Sequence, residues 1–177
     1  MKAFHEPPIS ATRSPARQSV TTARPPDWSS DNWATPWALV RALEAQYGAF
    51  DLDPCAEPHT AKAPKFYTKA DNGLFLPWFG RVWLNCPFSD PFPWCERAVA
   101  AVKANEVDLV VMLLPCATDT RWFHDLILPN AFIRYLRGRV RFLGWEGVPI
   151  GSPRTPNLVA VLSPVLVANP AEQAVAA

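Results

Sequence analysis

Residues 82–88, Val82-Trp83-Leu84-Asn85-Cys86-Pro87-Phe88, run an apolar triplet straight into an amide, a thiol, a proline and an aromatic ring. The triplet predicts a short buried strand that follows Gly80 and Arg81. Pro87 cannot continue a ladder, so the strand must stop near Asn85. A polar side chain at the carboxyl end of a central strand stands where open α/β sheets place their ligand chemistry. Taken alone, the stretch is also an ordinary Asn-x-Pro turn capped by an aromatic.

Other residues raise the same question. Arg137, Arg139 and Arg141 alternate in "RGRVRF", and in a strand they would share one face. Three guanidiniums on a face can hold phosphates; the plain alternative is a strand edge protected by charge. Cys55 and His59 could begin a zinc site, but no second close pair completes it, so no metal is expected. Asp71-Asn72-Gly73 reads as a turn.

The chain has 177 residues, 49% of them hydrophobic and 12% aromatic, enough for one domain with a substantial core. A formal charge of +1 gives no global sign of a polyanionic ligand. The basic residues of the N-terminus are local: Lys2, Arg13, Arg17 and Arg24 stand against Glu6 alone. No apolar run is long enough to span a membrane, and the four cysteines are scattered without a signal peptide. A reduced, cytoplasmic protein is expected.

Three segments follow from composition. Residues 1–26, rich in Pro, Ser, Thr and Arg, read as a disordered arm. Residues 27–164 form the folded domain, and 165–177 a flexible tail. Within the domain, Thr35 is expected to cap a helix with Pro36 at its first position, Leu39, Val40, Leu43 and Tyr47 on its buried face, and Gly48 at its end. "AFDLDP" predicts a short strand ending at Asp53-Pro54. A helix over 91–104 carries Trp94, Ala98, Ala101 and Val102, and "VDLVVMLLP" is the continuous apolar run of a strand covered on both faces. "DTRWFHDLILP" predicts a helix capped by Thr118 or Asp119, with Trp122, Phe123, Leu126 and Ile127 buried. "AFIRYL", "RVRFLG" and "NLVAVLS" add strands, the first two as an antiparallel pair at one edge. Alternation of strands and helices predicts a mainly parallel sheet with helices on both faces.

The stretches "DNWATPWALVRALEAQYGAFDLDPCA", "FYTKADNGL", "WFGRVWLNCPFS", "VMLLPCATDTRWFH" and "RGRVRF", the last followed by "GSPRTPNLVAVL", resemble in order and spacing the phage-encoded, Dam-like DNA N6-adenine methyltransferases. The resemblance runs from Trp33 to Leu162. It implies a single-domain, Rossmann-like fold that uses S-adenosylmethionine, encoded by a phage or prophage and acting on DNA. Only 31 residues separate Asp53 from Asn85, so one strand–helix unit is expected to be trimmed.

The catalytic tetrapeptide of such enzymes matches Asn85-Cys86-Pro87-Phe88. The resemblance implies that the Asn85 side-chain oxygen and the main-chain carbonyl of Cys86 accept from the adenine amine. Pro87 would fix the turn and Phe88 would stack on a flipped base. Cys86 stands where the family usually has proline; it keeps the carbonyl and loses the fixed φ. For the cofactor the resemblance implies Thr35 and Pro36 at the helix start, Asp53 on the ammonium with Asp51 as substitute, Pro54 and Cys55 beside it, and Asp71 on the adenine. The glycine-rich turn of many methyltransferases is replaced by Ala56-Glu57-Pro58-His59. Ser89 and Arg139 are expected at the DNA. There is little room for a dedicated target-recognition domain, so a short or lax target sequence is expected.

Two rival readings are kept open. Pro115-Cys116 is similar to the nucleophile setting of cytosine C5 methyltransferases, a thiolate at a helix start with a lowered pKa, but the glutamate such enzymes need has no counterpart. A catalytically decayed fold serving as a DNA-binding module would keep the basic arm and Arg139.

Overall fold

A computed structural model describes residues 30–144, 147 and 149–168. The expected arm, residues 1–26, and the last residues of the expected tail, 169–177, lie outside the described residues.

The middle of the sheet is dictated by alternation. In β4, Leu109–Pro115, residues 110–115 are all buried. Val110, Met112 and Leu114 face one side, Val111 and Leu113 the other, each set joining a separate apolar cluster. β8, Asn157–Leu162, repeats this with Leu158, Ala160 and Leu162 against Val159 and Val161. The two pair antiparallel over six residues, from Val110 opposite Leu162 to Pro115 opposite Asn157. A strand buried on both faces is mostly apolar, which is why these runs, apart from Asn157 at the start of β8, show no polar alternation.

Outward from β4 the strands shorten. β3, Arg81–Leu84, pairs parallel with β4; β1, Leu52–Asp53, pairs parallel with β3; and β2, Lys65–Phe66, closes that edge. On the other side β5, Phe132–Tyr135, pairs antiparallel with β8. The order is β2-β1-β3-β4-β8-β5. The sheet is therefore mixed, with β8 alone running against the rest. Antiparallel character comes from β8, inserted between two parallel strands, and not from the expected pairing of "AFIRYL" with "RVRFLG". The latter supplies only β6, Phe142–Leu143, which pairs with β7, Pro149–Gly151, in a separate two-stranded sheet.

Helices cover both faces. α1, Trp37–Tyr47, lays Val40 and Leu43 on the Trp83/Val111/Val159 side. α2, Phe92–Lys103, lays Cys95, Ala98, Val99, Ala101 and Val102 on the other. The start of α1 differs from expectation by one residue. Pro36 is the N-cap, its carbonyl accepting from Leu39 N–H at 3.1 Å, and no side chain caps the helix. Gly48 ends α1 at φ 90°, as its type requires. The helix expected in "DTRWFHDLILP" is a π-helical turn, Phe123–Ile127, closed by Leu128 N–H on Phe123 carbonyl at 2.8 Å, again without a side-chain cap. Its buried members are Phe123 and Ile127, and Trp122, just before it, is buried as well. A short helix α3, Pro164–Ala168, occupies the start of the segment expected to be tail, and Val167 packs on the core.

Between β1 and β3 there is no helix. Aromatic side chains cover the sheet there instead. Tyr67 and Trp78 are buried; Tyr67 Oη donates to the Pro77 carbonyl and Trp78 Nε1 to the Gly73 carbonyl, both at 2.8 Å. Polar tips satisfied on the main chain let these rings act as a helix substitute. The stretch expected to lack a strand–helix unit keeps a strand, β2, and lacks the helix.

Candidate active site

The parallel strands β1, β3 and β4 end on one side of the sheet, so the loops that follow them converge. Pro54–Glu57 follows β1 and Asn85–Ser89 follows β3, and the segment Asp31–Thr35 before α1 is hydrogen-bonded to the latter through Asn85 and Ser89. A cleft of about 330 Å³ opens between them, lined by Thr35, Asp53, Cys55, Lys62 and Asn85 among others. A second cleft, of about 350 Å³, is lined by Asn85, Cys86, Phe88, Phe142 and the loop Pro153–Thr155. Asp31, Trp33 and Asn85 line both. Both volumes suit small-molecule sites.

Asn85 sits on this shared wall. Its Nδ2 donates to the Trp33 carbonyl at 3.2 Å. A carbonyl oxygen can only accept, so the amide's nitrogen must face it and the oxygen must face the other way. That oxygen, Asn85 Oδ1, is buried and has no hydrogen-bond donor. A buried acceptor left unpaired costs about 1–3 kcal/mol, a cost sites tolerate where a ligand supplies the donor. Trp33 is fixed in turn, because Ala34 and Leu143 exchange both main-chain hydrogen bonds at 2.9 Å. This bridge brings Phe142 to within 5.9 Å of the Trp33 ring and 6.0 Å of the Phe88 ring, the latter edge to face. The second cleft is thus walled by three aromatic rings.

The other members of the tetrapeptide divide between the clefts. Pro87 lines the first and Phe88 the second. Cys86 is 2% exposed and belongs to the α2-side core. Burial pushes its thiol well above the usual range, so it is neutral and its side chain is packing.

The first cleft has a buried carboxyl at its base. Asp53 is 2% exposed; its Oδ2 accepts from Lys62 N–H at 3.0 Å and its Oδ1 from Cys55 N–H at 3.4 Å. Burial pushes its pKa up to about 7, against the lowering effect of those hydrogen bonds and of Lys62. Lys62 is itself buried, which lowers its pKa, and its Nζ lies 4.5 Å from the centre of the Trp37 ring. Thr35 Oγ1 is a second buried polar atom without a hydrogen bond, 1% exposed as a residue and lining the cleft. Pro54 and Cys55 also line it; burial raises the Cys55 thiol.

Three expected cofactor residues stand elsewhere. Pro36 caps α1 and does not line the cleft. Asp51 is turned to the opposite strand end, accepting from Arg81 N–H at 2.8 Å. Asp71 closes its own turn, its Oδ2 accepting from Thr68 N–H at 2.8 Å and Thr68 Oγ1 at 2.7 Å, which lowers its pKa. The neighbours Thr68, Asn72 and Gly73 reach the cleft in its place.

Of the residues expected at DNA, Ser89 lines the first cleft, and its Oγ donates to Asp31 Oδ2 at 2.7 Å. Arg137, Arg139 and Arg141 are exposed but precede β6, so no strand aligns them on one face. Arg139 Nη1 donates to the carbonyls of Pro153, at 3.0 Å, and Arg154. Cys116 is not at a helix start, and burial raises its pKa against the opposing effect of Arg139. That is the reverse of what a nucleophilic thiolate needs. Among the described residues, no group of three or more His, Cys, Asp or Glu is placed to hold a metal.

Sequence reasoning passed over Asp31, Lys62, Phe142 and Arg154. Asp31 and Trp33 carried a signal, the "DNW" ahead of Thr35-Pro36. Lys62 and Arg154 reach the site from loops and Phe142 from the two-residue strand β6, none of whose courses a local pattern fixes.

The family described as DNA N-6-adenine-methyltransferase (Dam) matches residues 22–158. The chain is 35% identical over 140 residues to the DNA N-6-adenine-methyltransferase of Haemophilus phage HP1 (strain HP1c1), covering 76% of this chain and 79% of that one. It is 37% identical over 103 residues to the DNA N-6-adenine-methyltransferase of Escherichia phage T1, covering 56% of this chain and 42% of that one. A match of this breadth, on a sheet that gathers a buried amide, a buried carboxyl and three aromatic rings at one end, has one conclusion: the chain belongs to the Dam family of DNA N-6-adenine-methyltransferases.

Proposed function

We infer that this chain methylates N6 of adenine in DNA, with the first cleft taking S-adenosylmethionine and the second an adenine swung out of the duplex. The observation that carries the reading is Asn85 Oδ1, a buried acceptor without a donor on the wall common to both clefts. The mixed sheet, with ligand-bearing loops after its parallel strands, supports a Rossmann-like methyltransferase fold trimmed between β1 and β3.

The first cleft fits the donor. S-Adenosylmethionine supplies a methyl group on a sulfonium, together with an ammonium and a carboxylate. Asp53 can meet the ammonium, since a nearby cation restores the charged carboxylate that burial disfavours. Thr35 Oγ1, otherwise unpaired, can donate to the carboxylate.

At the acceptor, the lone pair of the adenine amine is delocalised into the ring. Asn85 Oδ1, with the carbonyl of Cys86 beside it, draws the amine hydrogens and favours a pyramidal nitrogen. As the amine takes the methyl group of the bound donor, whose sulfonium would leave as the thioether, the same oxygens would stabilise the positive charge that grows on nitrogen. Asn85 is neutral and takes no proton; the surplus proton leaves to solvent after transfer. Phe88, braced by Phe142 and Trp33, offers the stacking surface that offsets the cost of extruding the base, a few kcal/mol. The phage origin of both relatives supports a phage or prophage gene whose product works on DNA in the bacterial cytoplasm.

Incubation of adenine-containing duplex with labelled S-adenosylmethionine, followed by nucleoside analysis, tests the reading. N6-methyladenine is the expected product. C5-methylcytosine, or an unlabelled duplex from protein that S-adenosylhomocysteine fails to stabilise against heat, would overturn it.

A further inference from the structure

The loop Pro153–Pro156, between β7 and β8, is held from two sides. Arg139 Nη1 donates to the carbonyls of Pro153 and Arg154, and Cys116 N–H donates to the carbonyl of Pro156 at 2.8 Å. Prolines at both ends fix φ there. Three residues of this loop, Pro153, Arg154 and Thr155, form a wall of the second cleft. Arg154 is exposed, and among the described residues it forms no ion pair. A cation is therefore held on a fixed main chain at the rim of an aromatic cleft. Arg139, by contrast, spends a nitrogen on main-chain carbonyls.

We propose that Arg154 grips a phosphodiester flanking the extruded adenosine, and that Arg139 is the positioning residue that aims it. The assignment rests on the second cleft being the base pocket. A base that enters with its amine toward Asn85 leaves its sugar and phosphates at the rim, where Arg154 stands. A guanidinium matches phosphate with two parallel hydrogen bonds, which a lysine ammonium cannot reproduce. Asp31, the carboxylate among this cleft's lining residues, already accepts from Ser89 N–H at 3.3 Å and Ser89 Oγ at 2.7 Å, which leaves the flanking phosphate as the anion for Arg154 to answer.

Steady-state kinetics on adenine-containing duplexes at several salt concentrations test this with Arg154→Ala, Arg154→Lys, Arg139→Ala and the double alanine variant. Arg154→Ala should raise KM for DNA about tenfold, with the larger share of the change in KM rather than kcat. The slope of log affinity against log salt should fall by about one, alike for duplexes of different flanking sequence. Arg154→Lys should recover part of the loss. Arg139→Ala should move KM the same way, and the double variant should lose little more than Arg154→Ala alone, because both act through one contact. Stabilisation by S-adenosylhomocysteine should match the parent in every variant. An unchanged KM and salt slope in Arg154→Ala overturns the assignment, as does a loss confined to particular flanking sequences, which marks a base-edge contact. Additive losses overturn the positioning role of Arg139. A parent protein that leaves adenine unmethylated overturns the functional reading itself, whereas a methylating parent with an indifferent Arg154 overturns only this inference.

Discussion

The two clefts are built on opposite principles. The donor side sinks a carboxyl and a hydroxyl into the fold and leaves them incompletely satisfied: Asp53 with its pKa near 7, and Thr35 Oγ1 with no hydrogen bond. The acceptor side offers Trp33, Phe88 and Phe142 as surfaces, shares the half-buried Asp31 with the donor side, and keeps its cation exposed at the rim. The difference follows from what each must hold. A small zwitterion is recognised by paired charges, which are strong only when water is excluded. A base dragged out of a stack needs apolar area to replace what it lost, and its phosphates stay in solvent. Asn85 belongs to both sides, anchored by its nitrogen and unsatisfied at its oxygen.

The contrast breaks most sharply at Asp53. Asp53→Ala should weaken S-adenosylhomocysteine binding by about two to three orders of magnitude by calorimetry, since it removes one member of a buried charge pair. DNA binding without cofactor should change little. Asp53→Asn sharpens the point through pH. With the carboxyl titrating near 7 in the fold, affinity for a cationic ligand should climb from pH 6 to pH 8 in the parent and stay flat in the variant. The free protein shows the opposite sign. A raised pKa favours the protonated fold, so Asp53's contribution to stability is complete below its ordinary value near 3.8 and is lost as pH rises through about 7.

On the acceptor side, Phe88→Ala should cost about 1–3 kcal/mol of DNA binding, seen as a higher KM for duplex with cofactor affinity intact. Gly73→Ala should act on the donor side alone. A Cβ there would stand 2.0 Å from the Pro54 carbonyl, so the loop behind Asp53 must shift. The expected loss is about 1–3 kcal/mol of thermal stability together with weaker cofactor binding. Cys116→Ala should be the mildest, leaving turnover within about twofold, because a thiol with a raised pKa is no nucleophile.

The same contrast explains what the sequence disclosed. Elements held by burial were legible: β4 and β8 as continuous apolar runs, α2 by its period, β3 by its abrupt end at Asn85. Asp53 and Asn85 could be found because strand ends position them. Elements held by main-chain hydrogen bonding at a distance were not. "RGRVRF" has strand-like alternation, yet Gly138 at φ 83° and the Arg139 bonds to the 153–154 carbonyls keep it a loop until Phe142. Thr35 precedes a helix in a capping pattern, yet its hydroxyl caps nothing, because Pro36 takes the N-cap position and the buried hydroxyl makes no hydrogen bond. Asp71 sits in a turn-like stretch, and its side chain closes back on Thr68 three residues earlier in a capping-box arrangement. Trp33 and Phe142 meet only because of the bridge between Ala34 and Leu143, a pairing more than a hundred residues apart in sequence.

The most direct measurement is single-turnover methyl transfer at saturating cofactor and duplex for Asn85→Ala against the parent. If the amide oxygen polarises the adenine amine, the rate falls about a hundredfold or more while S-adenosylhomocysteine still stabilises the variant as it does the parent. A variant that transfers the methyl group within a few-fold of the parent rate would contradict the account.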